Sequence, residues 1–434
     1  MSIFYRPYQI LTMGLFIFLL PVFWGYARVT RRHGQHLKER LGFVPRQAVE
    51  GLSGSPRIWI HAVSLGEIKV AAALIEVLEG IMPGCSIIVS VFTEHGRQMA
   101  RETFSNNIPV VYAPVDFVGS VRKSLLRIRP DAMVFLETEL WPTWLFESHR
   151  MGVKTALING RISERSIASY LRLRPFFREV LINIDIFSMI GKQDADRIKS
   201  MGADPARIHI NGNAKYDLLG AGADPAIEAD FRRLLNLERS RSVFVAGNTR
   251  HGEEEMILDV YEKILAEFPD ILLIIVPRHI DRTPAIVSMV KKRGFNCQLR
   301  TDLGENKAKR TEKVVIINTF GELFKVYSIA TIVFSGASLV PLGGQNPLEP
   351  ASWGKVVFYG PSMEDFADAK ELLEEAEAGV PVSNPGMLAE KLIWFLHHPK
   401  ALNAYGKRAR EAVLRNRGAA GRHAQIIKDL VAEK

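Results

Sequence analysis

The chain has 434 residues, too many for one ordinary core and enough for two domains of about 150–200 residues each. Hydrophobic residues make up 47% and charged residues 24%, which argues against wholesale disorder. The formal charge of +9 suits polyanionic partners such as nucleic acid, anionic lipid or phosphorylated substrates, and the two cysteines, Cys85 and Cys297, sit far apart in apolar or strand-like runs, which argues against a disulfide scaffold or a cysteine metal site.

The first element is an uncharged stretch of about 17 residues, Ile10 to Tyr26, at the lower limit for spanning a bilayer. Tyr8, Trp24 and Tyr26 flank it, and Arg28, Arg31, Arg32, Lys38 and Arg40 crowd after it. Only Arg6 precedes the run and no A-x-A follows, which disfavours a cleaved signal peptide. A buried core helix is the bland alternative. The better fit is a membrane anchor with everything after Arg28 in the cytoplasm, and Pro21 leaves a shallow interfacial insertion open. On this reading, deleting Met1–Arg28 leaves folding intact and weakens membrane retention.

A strand-then-helix rhythm follows. β-branched apolar runs predict strands at Arg57–Val63, Ser86–Phe92, Pro109–Tyr112, Ala132–Leu136, Lys154–Ile158 and Ile184–Ile190, with amphipathic segments between them. After the glycine-containing Leu218–Pro225 the rhythm restarts, at Val243–Ala246, Ile271–Val276, Val314–Ile317, Thr331–Phe334 and Lys355–Tyr359. Continuous apolar strands alternating with helices imply parallel sheets covered on both faces. The expected organisation is an anchor and basic linker over 1–50, a Rossmann-like domain over 51–217, a linker over 218–225 and a second Rossmann-like domain with C-terminal helices over 226–434. Two such domains in tandem would face a cleft, with ligands at the carboxyl ends of the strands.

Chemistry-bearing residues gather at those ends. In His61-Ala-Val-Ser-Leu-Gly-Glu67, Ser64 and Glu67 fit a helix capping box; the same Glu67 could accept a proton from an attacking hydroxyl, with Gly66 letting a substrate approach. Glu137-Thr-Glu-Leu-Trp-Pro142 places two acids and a tryptophan at a strand end, where an unpaired buried carboxylate would be costly. Lys215, in Asn211-Gly-Asn-Ala-Lys-Tyr-Asp217, fits either a solvated linker lysine or a partner for a phosphate or sugar carboxylate. In the second half, Pro277-Arg278-His279 and Thr319-Phe-Gly-Glu322 each follow a strand. Gly343-Gly-Gln-Asn-Pro-Leu-Glu-Pro350 reads as a helix start with Asn346 as cap, Pro347 first and Glu349 third, and with two glycines offering N–H groups to a phosphate. Asp194-Ala-Asp196 has the D-x-D form of metal-dependent transferases but lies in an amphipathic segment. No phosphate loop of the ATPase kind and no G-x-G-x-x-G occurs, and the histidines lack metal-ligand spacing.

Taken together, SLGE, ETELWP, NGNAKYD, PRH, GEL and GGQNPLEPA, in that order, resemble the bacterial 3-deoxy-D-manno-octulosonic acid (Kdo) transferases, lipid A-specific, over nearly the whole chain. The resemblance implies a GT-B glycosyltransferase of two Rossmann-like domains at the cytoplasmic side of the inner membrane. It implies an inverting transfer of Kdo from CMP-Kdo to a lipid A precursor, with no cofactor, no metal and no nucleic-acid partner. It implies Glu67 as general base and Glu137 and Lys215 as transition-state supports. Pro277, Arg278, Phe320, Gly321, Glu322, Asn346, Pro347, Leu348 and Glu349 would bind CMP-Kdo, and anionic lipid would meet the basic N-terminal region. The chain departs from the family pattern at Asn318, where aspartate is common, and near Ser362, where histidine is common. Two rivals remain: a nucleotide-sugar epimerase on the same fold, and a non-enzymatic binder of anionic lipid or nucleic acid, which leaves the strand-end acids unexplained.

Overall fold

The computed structural model describes residues 3–30, 36–104, 107–217, 219, 223–304 and 307–432, with side chains of 19–30 outside the description. The chain forms two compact units, Met1–Leu218 with Arg417–Lys434, and Leu219–Asn416.

Unit 1 holds a seven-stranded parallel sheet of order β3-β2-β1-β4-β5-β6-β7. Its strands are β1 (Arg57–His61), β2 (Ser86–Val91), β3 (Val110–Tyr112), β4 (Ala132–Leu136), β5 (Lys154–Gly160), β6 (Ile186–Met189) and β7 (Ile208–Ile210). Alternate side chains leave the sheet on opposite faces. Ile60, Val89, Val134 and Ile158 enter one core, and Trp59, Ile88, Met133 and Leu157 the other. Burial on both faces is why these strands read as unbroken apolar runs.

The helix Leu65–Ile81 shows how the layer above is built. Ser64 and Glu67 form a complete capping box at its start. Ile68, Ala71, Leu74, Ile75 and Leu78 recur at helical spacing and are almost fully buried. Each such aliphatic side chain contributes about 1.5–3 kcal/mol by leaving water. Leu74→Ala would cost about 2–5 kcal/mol through the lost contact and the cavity. The partner across this stripe is the last helix, Ala419–Ala432, whose Ala420, Ala424, Ile427 and Leu430 complete the same core.

Unit 2 repeats the plan with order β10-β11-β9-β8-β12-β13-β14. Its strands are β8 (Val243–Thr249), β9 (Leu272–Pro277), β10 (Cys297–Leu299), β11 (Val314–Ile316), β12 (Ile332–Ser335), β13 (Val356–Tyr359) and β14 (Gly379–Pro381). In both sheets the order reverses beside the unit's first strand, between β1 and β4 and between β8 and β12. A doubly wound sheet opens for ligands at that reversal.

Three expectations change. Short strands β7, β10 and β14 were not foreseen. Residues 417–432 return to unit 1 rather than ending the second domain, because their alanine-rich face fills its core. The N-terminal helix, Tyr5–Thr30, is not a free anchor preceding the fold. Tyr5 stacks on Phe146 with ring centroids 3.8 Å apart, and its hydroxyl donates to Glu147 Oε1 at 3.2 Å. The Tyr8 hydroxyl donates to Asp116 Oδ2 at 2.5 Å, and Phe16 stacks on Phe117. Among the described residues no helix is long and apolar enough to cross a membrane. Arg31 and Arg32 and part of the expected linker, 218 and 220–222, lie outside the described residues. Arg40 is no lipid-facing cation: its guanidinium lies over the Phe92 and Tyr112 rings and donates to the Phe92 carbonyl.

Candidate active site

In unit 1 the chain turns after β1 into the helix that carries Glu67, and after β4 into the turn that carries Glu137, so both acids stand at the reversal of strand order. Glu67 Oε2 accepts from the Val63 N–H at 2.7 Å and Oε1 from the Ser64 N–H at 3.3 Å, while the Ser64 hydroxyl accepts from the Glu67 N–H. Glu67 is 5% exposed. Burial pushes its carboxyl up from 4.5 to about 7; the Val63 and Ser64 bonds oppose the shift, and the charges of Glu137 and Glu139 add to it.

Glu137 holds a left-handed backbone, φ 55°, which costs a non-glycine residue on the order of 1–3 kcal/mol. That conformation accompanies an ion pair between its Oε1 and Lys215 Nζ at 2.5 Å. Lys215 sits on the short turn Ala214–Tyr216 with its ammonium end beside Gly66, where an added Cβ would meet Lys215 Cε and Nζ at 3.4 Å, an ordinary contact. Nearby, Trp141 Nε1 donates to Glu139 Oε2 at 2.6 Å, and burial raises the Glu139 carboxyl. His61, fully buried against Trp144, is pushed down to about 4 by burial and stays neutral, its Nδ1 3.0 Å from Ser90 Oγ. A base, a cation and two further acids thus share one strand edge. Such a group can take a proton and steady negative charge.

In unit 2 the predicted residues also occupy strand ends. Pro277 closes β9 and Arg278 beyond it is exposed. Phe320 and Gly321 follow β11; Phe320 is 85% exposed and Gly321 has φ 77°. Glu322 accepts from Arg300 at 3.0 Å and from the Thr319 hydroxyl. Asn346 Oδ1 accepts from the Leu348 N–H at 3.0 Å, as a cap at Asn346 predicts, while the helix Leu348–Ser352 starts one residue later than expected and is five residues long. The Gly343 and Gly344 N–H groups are already used, by Ser362 Oγ at 2.9 Å and the Ala337 carbonyl at 2.9 Å, so the expected phosphate-binding role of these glycines is not supported. The two departures have structural work: Ser362 makes that glycine turn and bonds Glu364, and Asn318 ties the end of β11 to Thr301.

Sequence reasoning missed Glu253. It is fully buried, and its carboxylate accepts from the N–H groups of Ala337 at 2.6 Å, Ser338 at 3.0 Å, Leu339 at 3.1 Å and Arg250 at 3.0 Å. These backbone donors are therefore satisfied internally by the Glu253 carboxylate. Asp194 is also structural, buried and accepting from the Ile162 N–H at 2.7 Å, while Asp196 pairs with Lys192 on the surface.

Comparison with known proteins fits this arrangement. The family described as 3-deoxy-D-manno-octulosonic-acid transferase (kdotransferase) matches residues 35–218, the segment carrying Glu67, Glu137 and Lys215. The 3-deoxy-D-manno-octulosonic acid transferase of Haemophilus influenzae is 29% identical over 398 residues, 92% of either chain. Over that segment the chain is similar to the Kdo transferases. A bifunctional glycosyltransferase/methyltransferase of Fusobacterium nucleatum is 35% identical over 341 residues, and the chain spans about half, 52%, of that protein's length. Two solved structures share the fold at 14% identity and a TM-score of 0.61 over 87% of the chain: a UDP-GlcNAc 2-epimerase from Neisseria meningitidis and a glycosyltransferase from Rickettsia africae.

Proposed function

We propose that this enzyme transfers Kdo from CMP-Kdo to a lipid A precursor with inversion, Glu67 being the general base. The observation that carries the reading is Glu67 itself: a buried carboxyl raised to about 7, at the reversal of strand order, near the Glu137–Lys215 pair. A base poised near working pH takes a proton most effectively. An acceptor sugar hydroxyl gives its proton to the Glu67 carboxylate, and its oxygen bonds to the Kdo anomeric carbon from the face opposite the phosphate. The bond from that carbon to the phosphate oxygen breaks, and CMP departs with the electron pair. Lys215 steadies the negative charge of the Kdo carboxylate or the leaving phosphate. Unit 2 is assigned the donor, through Pro277, Arg278, Phe320, Gly321, Glu322 and Asn346 to Glu349. Arg278 is the candidate for the phosphate, since the N–H groups of 337–339 and of Gly343 and Gly344 are occupied.

Membrane contact is assigned to the outer side of the N-terminal helix, where Ile10, Leu11, Met13, Leu15, Ile17 and Phe18 are exposed, with anionic lipid of the cytoplasmic leaflet as partner. Incubation with CMP-Kdo and a tetraacylated lipid A precursor, followed by mass analysis of the lipid, tests the function. A lipid gaining one or more Kdo masses is expected. The shared fold of the 2-epimerase favours one rival, a soluble free-sugar product with no lipid gain.

A further inference from the structure

We propose that Asn159 is the positioning residue that holds Lys215 in place; this rests on the role given to Lys215 above. The turn Ala214–Tyr216 is three residues long and buries Ala214 and Tyr216. Within it, the Lys215 N–H donates to Asn213 Oδ1 at 3.1 Å and the Tyr216 N–H to the Asn213 carbonyl at 3.0 Å, both local bonds. Asn211, before the turn, bonds β6, and the turn's own first residue is tied to the sheet by Asn159, whose Oδ1 accepts from the Ala214 N–H at 2.8 Å across 55 residues of chain.

Asn159 is 1% exposed, near the end of β5, with φ 54°. Next to it, beyond the end of neighbouring β4, Glu137 has φ 55° and grips Lys215 Nζ. Two adjacent parallel strands therefore lead into left-handed residues that serve one lysine, Glu137 through its ammonium group and Asn159 through its backbone. Glycine satisfies a left-handed backbone at no steric cost. Asparagine and aspartate tolerate it and also present a short side-chain oxygen. A residue chosen for conformation alone would be replaceable by glycine; one chosen for the bond would not.

The test uses the full chain with Asn159→Gly and Asn159→Asp. Reaction of Lys215 Nζ with an acetylating reagent, followed by peptide mass spectrometry, reads its placement without turnover. Kinetics with CMP-Kdo read kcat and KM separately. N159G keeps the backbone and loses the acceptor oxygen, so Lys215 labelling should rise severalfold and kcat fall roughly tenfold or more, with KM for the donor and CMP affinity little changed. N159D keeps both and should stay within about threefold of wild type in labelling and kcat. N159G matching wild type in labelling and turnover overturns the proposal, because backbone conformation is then the whole role. Should N159G not fold, Asn159→Ala, which also lacks the oxygen, takes its place: raised Lys215 labelling supports the proposal and wild-type labelling overturns it. A wild-type protein that transfers no Kdo defeats the reading of the enzyme, and the labelling arm still reports on Asn159.

Discussion

At Glu67 one carboxylate serves as helix cap and candidate base, and both uses are visible in its bonds. With its carboxyl at about 7, the ionised form is lost as pH falls, so kcat/KM should be level above about pH 7 and drop about tenfold per pH unit below it. A profile flat down to pH 5 would remove Glu67 from the chemistry. Glu67→Ala should cost about 10²–10⁴ in kcat while CMP binding, proposed above for unit 2, persists. Lys215→Ala should cost about 10²–10³ in kcat. It should also move the acidic limb upward, because Glu137 then faces Glu67 with its charge uncompensated. The acids and the lysine were legible because charged residues directly after apolar strands are poor core material. Asn159 was not, since its partner Ala214 lies in a distant turn, and neither was Glu253, one of three acids in a row at a helix start.

The strands that could be read are those buried on both faces, such as Ser86–Val91. Those missed, β7, β10 and β14, have three residues each and are mostly half-exposed or exposed, too short for any period to show. The N-terminal helix misled differently. Its tyrosines match an aromatic belt, yet Tyr5 and Tyr8 meet Glu147 and Asp116 more than a hundred positions away. Asp116 is raised by burial and Glu147 is 1% exposed, so losing the tyrosines removes one donor from each of two buried acids, which keep their bonds from Thr143 and Arg122. The expectation that Met1–Arg28 can be removed without harm to folding is replaced. Hydrogen bonds to charged groups contribute about 1.5–3 kcal/mol each, so two lost bonds should lower Tm by roughly 6–20 °C. Thermal unfolding of the truncated chain checks this, and an unchanged Tm would show the helix to be a detachable anchor after all.

For the whole molecule, unit 1 is built from both ends of the chain with unit 2 inserted between Leu218 and Arg417. The join is specific: Asp217 accepts from the Gly418 and Ala420 N–H groups at 2.6 Å each, and His423 lies 2.7 Å from Ser188 Oγ and 3.0 Å from the Gly212 carbonyl. Composition and rhythm announced two α/β bodies, but nothing local separates the last helix from its neighbours, so its membership could only come from packing. Residues 1–218 alone should lack a fixed tertiary signal in near-ultraviolet circular dichroism, and supplying 417–434 as a separate peptide should restore it. This ordering also matters on the ribosome. Unit 2 can finish folding while unit 1, which carries Glu67, still waits for its closing helix. On the functional reading proposed above, a polypeptide released before that helix would leave the Lys215 turn slack and lack catalytic competence, whatever the state of unit 2.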